Sequence, residues 1–103
     1  MENLREETLR ILKEHEKTIE DIKFITDGFD LIDIESFFIK TDRLYDNGYG
    51  CAEVDLNLKI VGDNWWLERD EYDGAEGWDF KEMPIKPNSK PVYNYSPFYD
   101  DED

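Results

Sequence analysis

"GDNWWLERDEYDGAEGWDFKE", residues 62–82, holds three tryptophans, one tyrosine and one phenylalanine beside eight acids and two bases. Rings build cores and carboxylates cover surfaces, so a segment rich in both needs a geometry that sorts them residue by residue. A β-strand does this, because successive side chains point to opposite faces. On a strand over 65–72, Trp66, Glu68, Asp70 and Tyr72 share one face, and Trp65, Leu67, Arg69 and Glu71 the other. On a strand over 78–83, Trp78, Phe80 and Glu82 oppose Asp79, Lys81 and Met83. Turns are predicted at Gly62–Asn64 and Asp73–Gly77, which makes the segment an antiparallel hairpin with ring pairs across it. Adjacent Trp65 and Trp66 must face opposite ways. One of them therefore lies on the wet side, and an exposed tryptophan among carboxylates marks a binding surface.

Just upstream, "CAEVDLNLKIV" alternates. Ala52, Val54, Leu56, Leu58 and Ile60 fall on one face, and Glu53, Asp55, Asn57 and Lys59 on the other. This predicts a strand over 52–60 and a three-stranded meander over 52–83. A fourth strand is expected at 22–26, with "GFDLID" extending it or forming another short one. Two stretches follow helical spacing instead. Leu4, Thr8, Ile11, Leu12, His15 and Ile19 recur at three and four over 3–18, with Asn3 as cap and Glu6 as a capping-box partner. Ile34, Phe37, Phe38, Thr41, Leu44 and Tyr45 do so over 34–45, with Asp33 as cap and Asn47-Gly48 as stop. His15 is expected partly buried on the apolar stripe. The fold class is α+β: an antiparallel sheet of three to four strands with two helices on one face.

From Pro84 the pattern stops. All four prolines lie in "PIKPNSKPVYNYSPFYDDED". This divides the chain into one domain over 1–84 and a tail over 85–103. The plain reading is a solvated tail. The alternative is a short docking peptide, in which Tyr93, Tyr95, Phe98 and Tyr99 precede the acids Asp100–Asp103.

Composition bounds the function. The chain has 103 residues and a formal net charge of −15, from 27 acids and 12 bases. Such a charge argues against nucleic acid or an anionic membrane as a direct partner and permits a basic protein. Acidity is concentrated late: residues 24–103 carry a net −13. The single Cys51 and single His15 exclude an intrachain disulfide and a cysteine zinc site. No apolar run suits a signal peptide or a membrane span, so a cytoplasmic protein is the expectation. No Gly-rich phosphate loop occurs, since "NGYGC" lacks the following Lys and Ser/Thr. Asp70, Glu71, Asp73, Glu76 and Asp79 offer hard oxygen ligands, but their spacing is not that of an EF-hand, and Asp73-Gly74 reads as a hairpin turn. Paired carboxylates such as Glu68 and Asp70 carry no glycosidase signal in so acidic a chain. No enzyme, cofactor or metal is therefore expected.

The block from Gly62 to Lys81 resembles one shared by small acidic proteins of phages and prophages of low-GC Gram-positive bacteria: Gly-Asp-x-Trp-Trp-Leu-Glu-Arg-x-Glu-Tyr-Asp-Gly-x-Glu-x-Trp-x-Phe-Lys. It departs at Asp70, where His is expected, and at Gly77, where an aromatic is usual. The resemblance implies a phage setting, in which small acidic proteins often inhibit host defence, as anti-CRISPR and anti-restriction proteins do. The leading expectation is thus a DNA-mimicking decoy. Carboxylates on one strand face repeat at about 6–7 Å, comparable with phosphate spacing along a DNA strand. They would fill a Lys/Arg-lined groove of a host nuclease. Trp65, Trp66, Glu68, Asp70, Glu71, Asp73, Glu76 and Asp79 are the partner-binding candidates. The alternative is an accessory protein-binding module that uses exposed aromatics, its charge being incidental.

Overall fold

Two short turns fix the topology. Asp73 and Gly74 take φ of 56° and 86°, the left-handed pair that a two-residue hairpin demands and that Asp-Gly adopts readily. They join β6 (Trp65–Tyr72) to β7 (Ala75–Glu82), paired from Trp65↔Glu82 to Tyr72↔Ala75. At the other end of β6, the Gly62 N–H donates to the Trp65 carbonyl, and Asn64 takes φ of 71°. Gly62 is required there: a Cβ would lie 2.0 Å from the Trp65 indole.

The computed structural model describes residues 1–48 and 52–99. Cys51 and the acids Asp100–Asp103, both part of the sequence reading, lie outside them. Within this range the fold is α+β, with antiparallel sheets and two helices. Beyond β6 and β7, the main sheet adds β5 (Lys59–Val61), β2 (Phe24–Thr26) and β3 (Leu31–Ile32) in the order β3-β2-β5-β6-β7. The β2–β3 turn is held by the Asp27 carboxylate, which accepts from the Phe29 and Asp30 amides at 2.9 and 2.8 Å. A two-residue ribbon pairs β1 (Glu2–Asn3) with β4 (Leu44–Tyr45).

Helix α1 (Leu4–Glu14) is capped by Asn3, whose Oδ1 accepts from the Glu6 amide at 2.9 Å. Helix α2 (Ile34–Lys40) is capped by Asp33, which accepts from the Ser36 amide. Ile25, Ile60, Leu67 and Trp65 form the inner sheet face and join Leu12 of α1 and Phe37 and Phe38 of α2 in one core.

Several expectations are corrected. The strand over 52–60 shrinks to Lys59–Val61, and Leu56 is exposed. Asp55 explains the loss: its side chain accepts from the Asn57 amide and its carbonyl from Leu58, a local turn that competes with extension. The sheet is accordingly completed by the neighbours β2 and β3, and it has five strands rather than three or four. The second turn is only Asp73-Gly74, so β7 begins at Ala75 rather than at Trp78. Helix α2 ends at Lys40 because Leu44 and Tyr45 pair with β1. Helix α1 ends at Glu14, leaving His15 exposed with its ring stacked on Phe80 at 3.8 Å.

Candidate functional site

The hairpin presents two faces of opposite chemistry. Inward, Trp65 and Leu67 are fully packed, and Arg69 follows them into the interior with its side chain at 0% exposure. Its Nη2 donates to Glu76 Oε1 at 3.0 Å and to the Tyr45 hydroxyl at 3.1 Å. Tyr45 in turn donates to Glu7 Oε1, which lies 3.8 Å from Arg69 Nη1. Glu76 also accepts from the Glu53 and Val54 amides at 2.7 and 3.3 Å. The Arg69 guanidinium sits 4.8 Å from the Trp78 ring centroid, where the ring quadrupole attracts it. The Trp78 indole N–H donates to Thr8 Oγ1 at 2.8 Å. This cluster ties α1, β4, the 53–54 segment, β6 and β7 together. Burial raises the Tyr45 hydroxyl to about 12, helped by its bond to Glu7 and opposed by Arg69. Arg69 Nε and Nη1 have no hydrogen-bond acceptor among the described residues. Within the cluster one guanidinium faces two carboxylates, those of Glu7 and Glu76.

Two of the candidate binding residues belong to this interior and are corrected. Trp65 is 3% exposed, stacked near-parallel to Phe80 at 5.8 Å. Glu76 is 7% exposed and committed to Arg69. Gly77, a departure from the shared block, lies beside the same cluster: a Cβ there would meet Glu7 Oε2 at 3.3 Å.

Outward, the cross-strand register places side chains in rows. The first row is Phe24, Val61, Trp66 and Lys81; the second is Thr26, Lys59, Glu68 and Asp79. Asp70 opposite Gly77, and then Tyr72 opposite Ala75, continue toward the tip. Both helices contribute to the core on the other side of the sheet. Trp66 is half-buried, with its indole N–H donating to Glu68 Oε1 at 2.9 Å. Phe24 is 41% and Tyr72 80% exposed. Of the candidates, Trp66, Glu68, Asp70 and Asp79 are thus brought together on one face. Glu71 and Asp73 stand apart at the hairpin tip, where the Glu71 carboxylate accepts from the Gly74 amide. Two cations break the carboxylate rows: Lys59 faces Glu68, and Lys81 bonds Asp79 at 3.4 Å.

Sequence reading missed Phe24 and Val61 as partners of Trp66: Val61 lies one residue past the strand read over 52–60, and the three-residue β2 gives too few alternations to assign Phe24 a face. Among the described residues no group of three or more His, Cys, Asp or Glu could hold a metal, and no helix is long and apolar enough to cross a membrane. No family model, curated protein or solved structure matches the chain.

Proposed function

We propose that the chain is a non-enzymatic protein-binding module whose docking surface is the open face of the five-stranded sheet. The observation that carries this reading is the row Phe24–Val61–Trp66, an apolar strip on an uncovered face. Glu68, Asp70 and Asp79 flank it and favour a basic partner surface. A half-buried tryptophan already bonded to Glu68 loses little freedom on docking, which suits an interface anchor.

The second reading is the phage-type decoy that mimics DNA and inhibits a CRISPR or restriction nuclease. Its support is the charge of 1–83, where 23 acids meet 10 bases, and the resemblance of the 62–81 block. It ranks below the first because Lys59 and Lys81 interrupt the carboxylate rows and Glu76 is withdrawn into the core.

Competition with duplex DNA for a panel of such nucleases, at low and high salt, separates the two. A ring-anchored module loses binding on Trp66→Ala and keeps most of it in high salt. A pure decoy keeps binding in Trp66→Ala and loses it in high salt. Competition with none of the panel in either salt removes the nuclease partner from both.

A further inference from the structure

Residues 84–99 are chemically unlike the rest of the chain. They contain Lys86 and Lys90, with the four acids of this C-terminal stretch confined to residues 100–103, whereas 1–83 carries a net −13. Every described residue from Lys81 to Tyr99 is exposed, including Val92, Tyr93, Tyr95, Phe98 and Tyr99 at 69–105%. Among the described residues the arm's side chains make one hydrogen bond, internal to the arm, from the Phe98 amide to Ser96 Oγ. The molecule measures 56 × 32 × 27 Å with a radius of gyration of 17.9 Å, against about 13 Å for a compact domain of this length. An arm with rings and cations thus projects from a body whose open face offers an apolar row and carboxylates.

We propose that the open sheet face binds residues 86–99 of a second copy, so that the chain self-associates by exchanging arms. The inference rests on the reading of that face as a docking surface and names an occupant for it. Spacing agrees. In an extended arm Lys90 precedes Tyr93 by about 9 Å and Lys86 precedes it by about 22 Å. On the face, the Glu68–Asp79 row lies about 7 Å from the Trp66 row, and Asp70 about 14 Å. With Tyr93 against Trp66 and the arm antiparallel to β6, Lys90 lies beside Glu68 and Asp79, and Lys86 passes Asp70 toward the hairpin tip. A second copy is favoured over the same chain because Pro84, Pro87 and Pro91 stiffen the exit from β7 and carry the rings away from their own sheet.

Analytical ultracentrifugation over a concentration series tests this with the full chain. Wild type should show a monomer–dimer equilibrium that weakens in high salt. Lys86→Glu with Lys90→Glu should weaken it on the order of tenfold. Glu68→Lys with Asp70→Lys, on the face, should do the same. Mixing these two variants should restore a heterodimer, because the acidic arm of one meets the basic face of the other. Circular dichroism checks that both are folded; the arm variant alters only exposed side chains, so it remains informative if the face variant misfolds. A wild type that stays monomeric overturns the inference, as does an arm variant that dimerises like wild type or a mixture of folded variants that stays monomeric. None of these results touches the docking reading itself, which stands or falls with Trp66→Ala in the nuclease competition.

Discussion

Arg69 shows how one side chain can be legible by face and misread by role. Alternation places it on the face of Trp65 and Leu67 without saying which face is inward; that face is the core, and Arg69 is buried there. What alternation does not say is that Glu76, seven residues on, turns inward to meet it. That pairing depends on a two-residue turn putting Glu76 on the same face two residues nearer the tip, and the sequence reading used a longer turn. Without Glu76 the buried guanidinium loses its hydrogen-bonded carboxylate and is left with Glu7 at 3.8 Å, so Glu76→Ala should cost about 3 kcal/mol, measured by urea unfolding. Surface changes such as Asp73→Asn should stay within about 0.5 kcal/mol. Tyr45 gives a pH signature. Its hydroxyl is raised from 10.0 to about 12 in the folded chain, so folding favours the protonated phenol. That contribution is complete below the unfolded value and is lost as pH rises from 10.0 to about 12. Thermal midpoints should fall over this window more steeply in wild type than in Tyr45→Phe. Equal slopes would show that the phenol is not held as described.

At the scale of elements, the long hairpin was readable and the short strands were not. Asp73-Gly74, the tryptophan pair and eight alternating residues make β6 recognisable from its own sequence. Residues 52–58 alternate just as well, yet they form a turn around Asp55 because a polar side chain captures nearby amides. The β1–β4 ribbon has two residues per strand, and a contact spanning 39 positions, such as Asn3 to Asp42, is invisible to any periodicity. For the same reason the site was half legible: Trp66, Glu68, Asp70 and Asp79 came from one hairpin, while Phe24 comes from β2, whose pairing with β5 is distant in sequence. Gly62 offers an elemental test. A methyl group at this position would occupy the space of the Trp65 indole. Gly62→Ala should therefore displace that ring and cost about 1–3 kcal/mol, with an altered near-ultraviolet circular dichroism spectrum. An unchanged spectrum and stability would contradict the packing of Trp65 against the turn.

For the whole molecule, one side of the sheet holds the helices and the Arg69 cluster, and the other an apolar strip edged with acids. On the proposed reading that second side and the arm serve recognition. Deleting 86–103 should leave the thermal midpoint within a few degrees, since no described arm residue is buried. The central claim is that the open face, through Trp66, is where partners dock. Its most direct test follows the three indole N–H signals in a nitrogen-15 spectrum. The titrant is the nuclease of the panel with which the protein competes best. The Trp66 signal should shift or broaden on binding, while those of Trp65 and Trp78, packed in the core and bonded to Thr8, stay in place. Binding that leaves Trp66 unmoved and perturbs only the amides of Glu71–Gly74 would contradict the account.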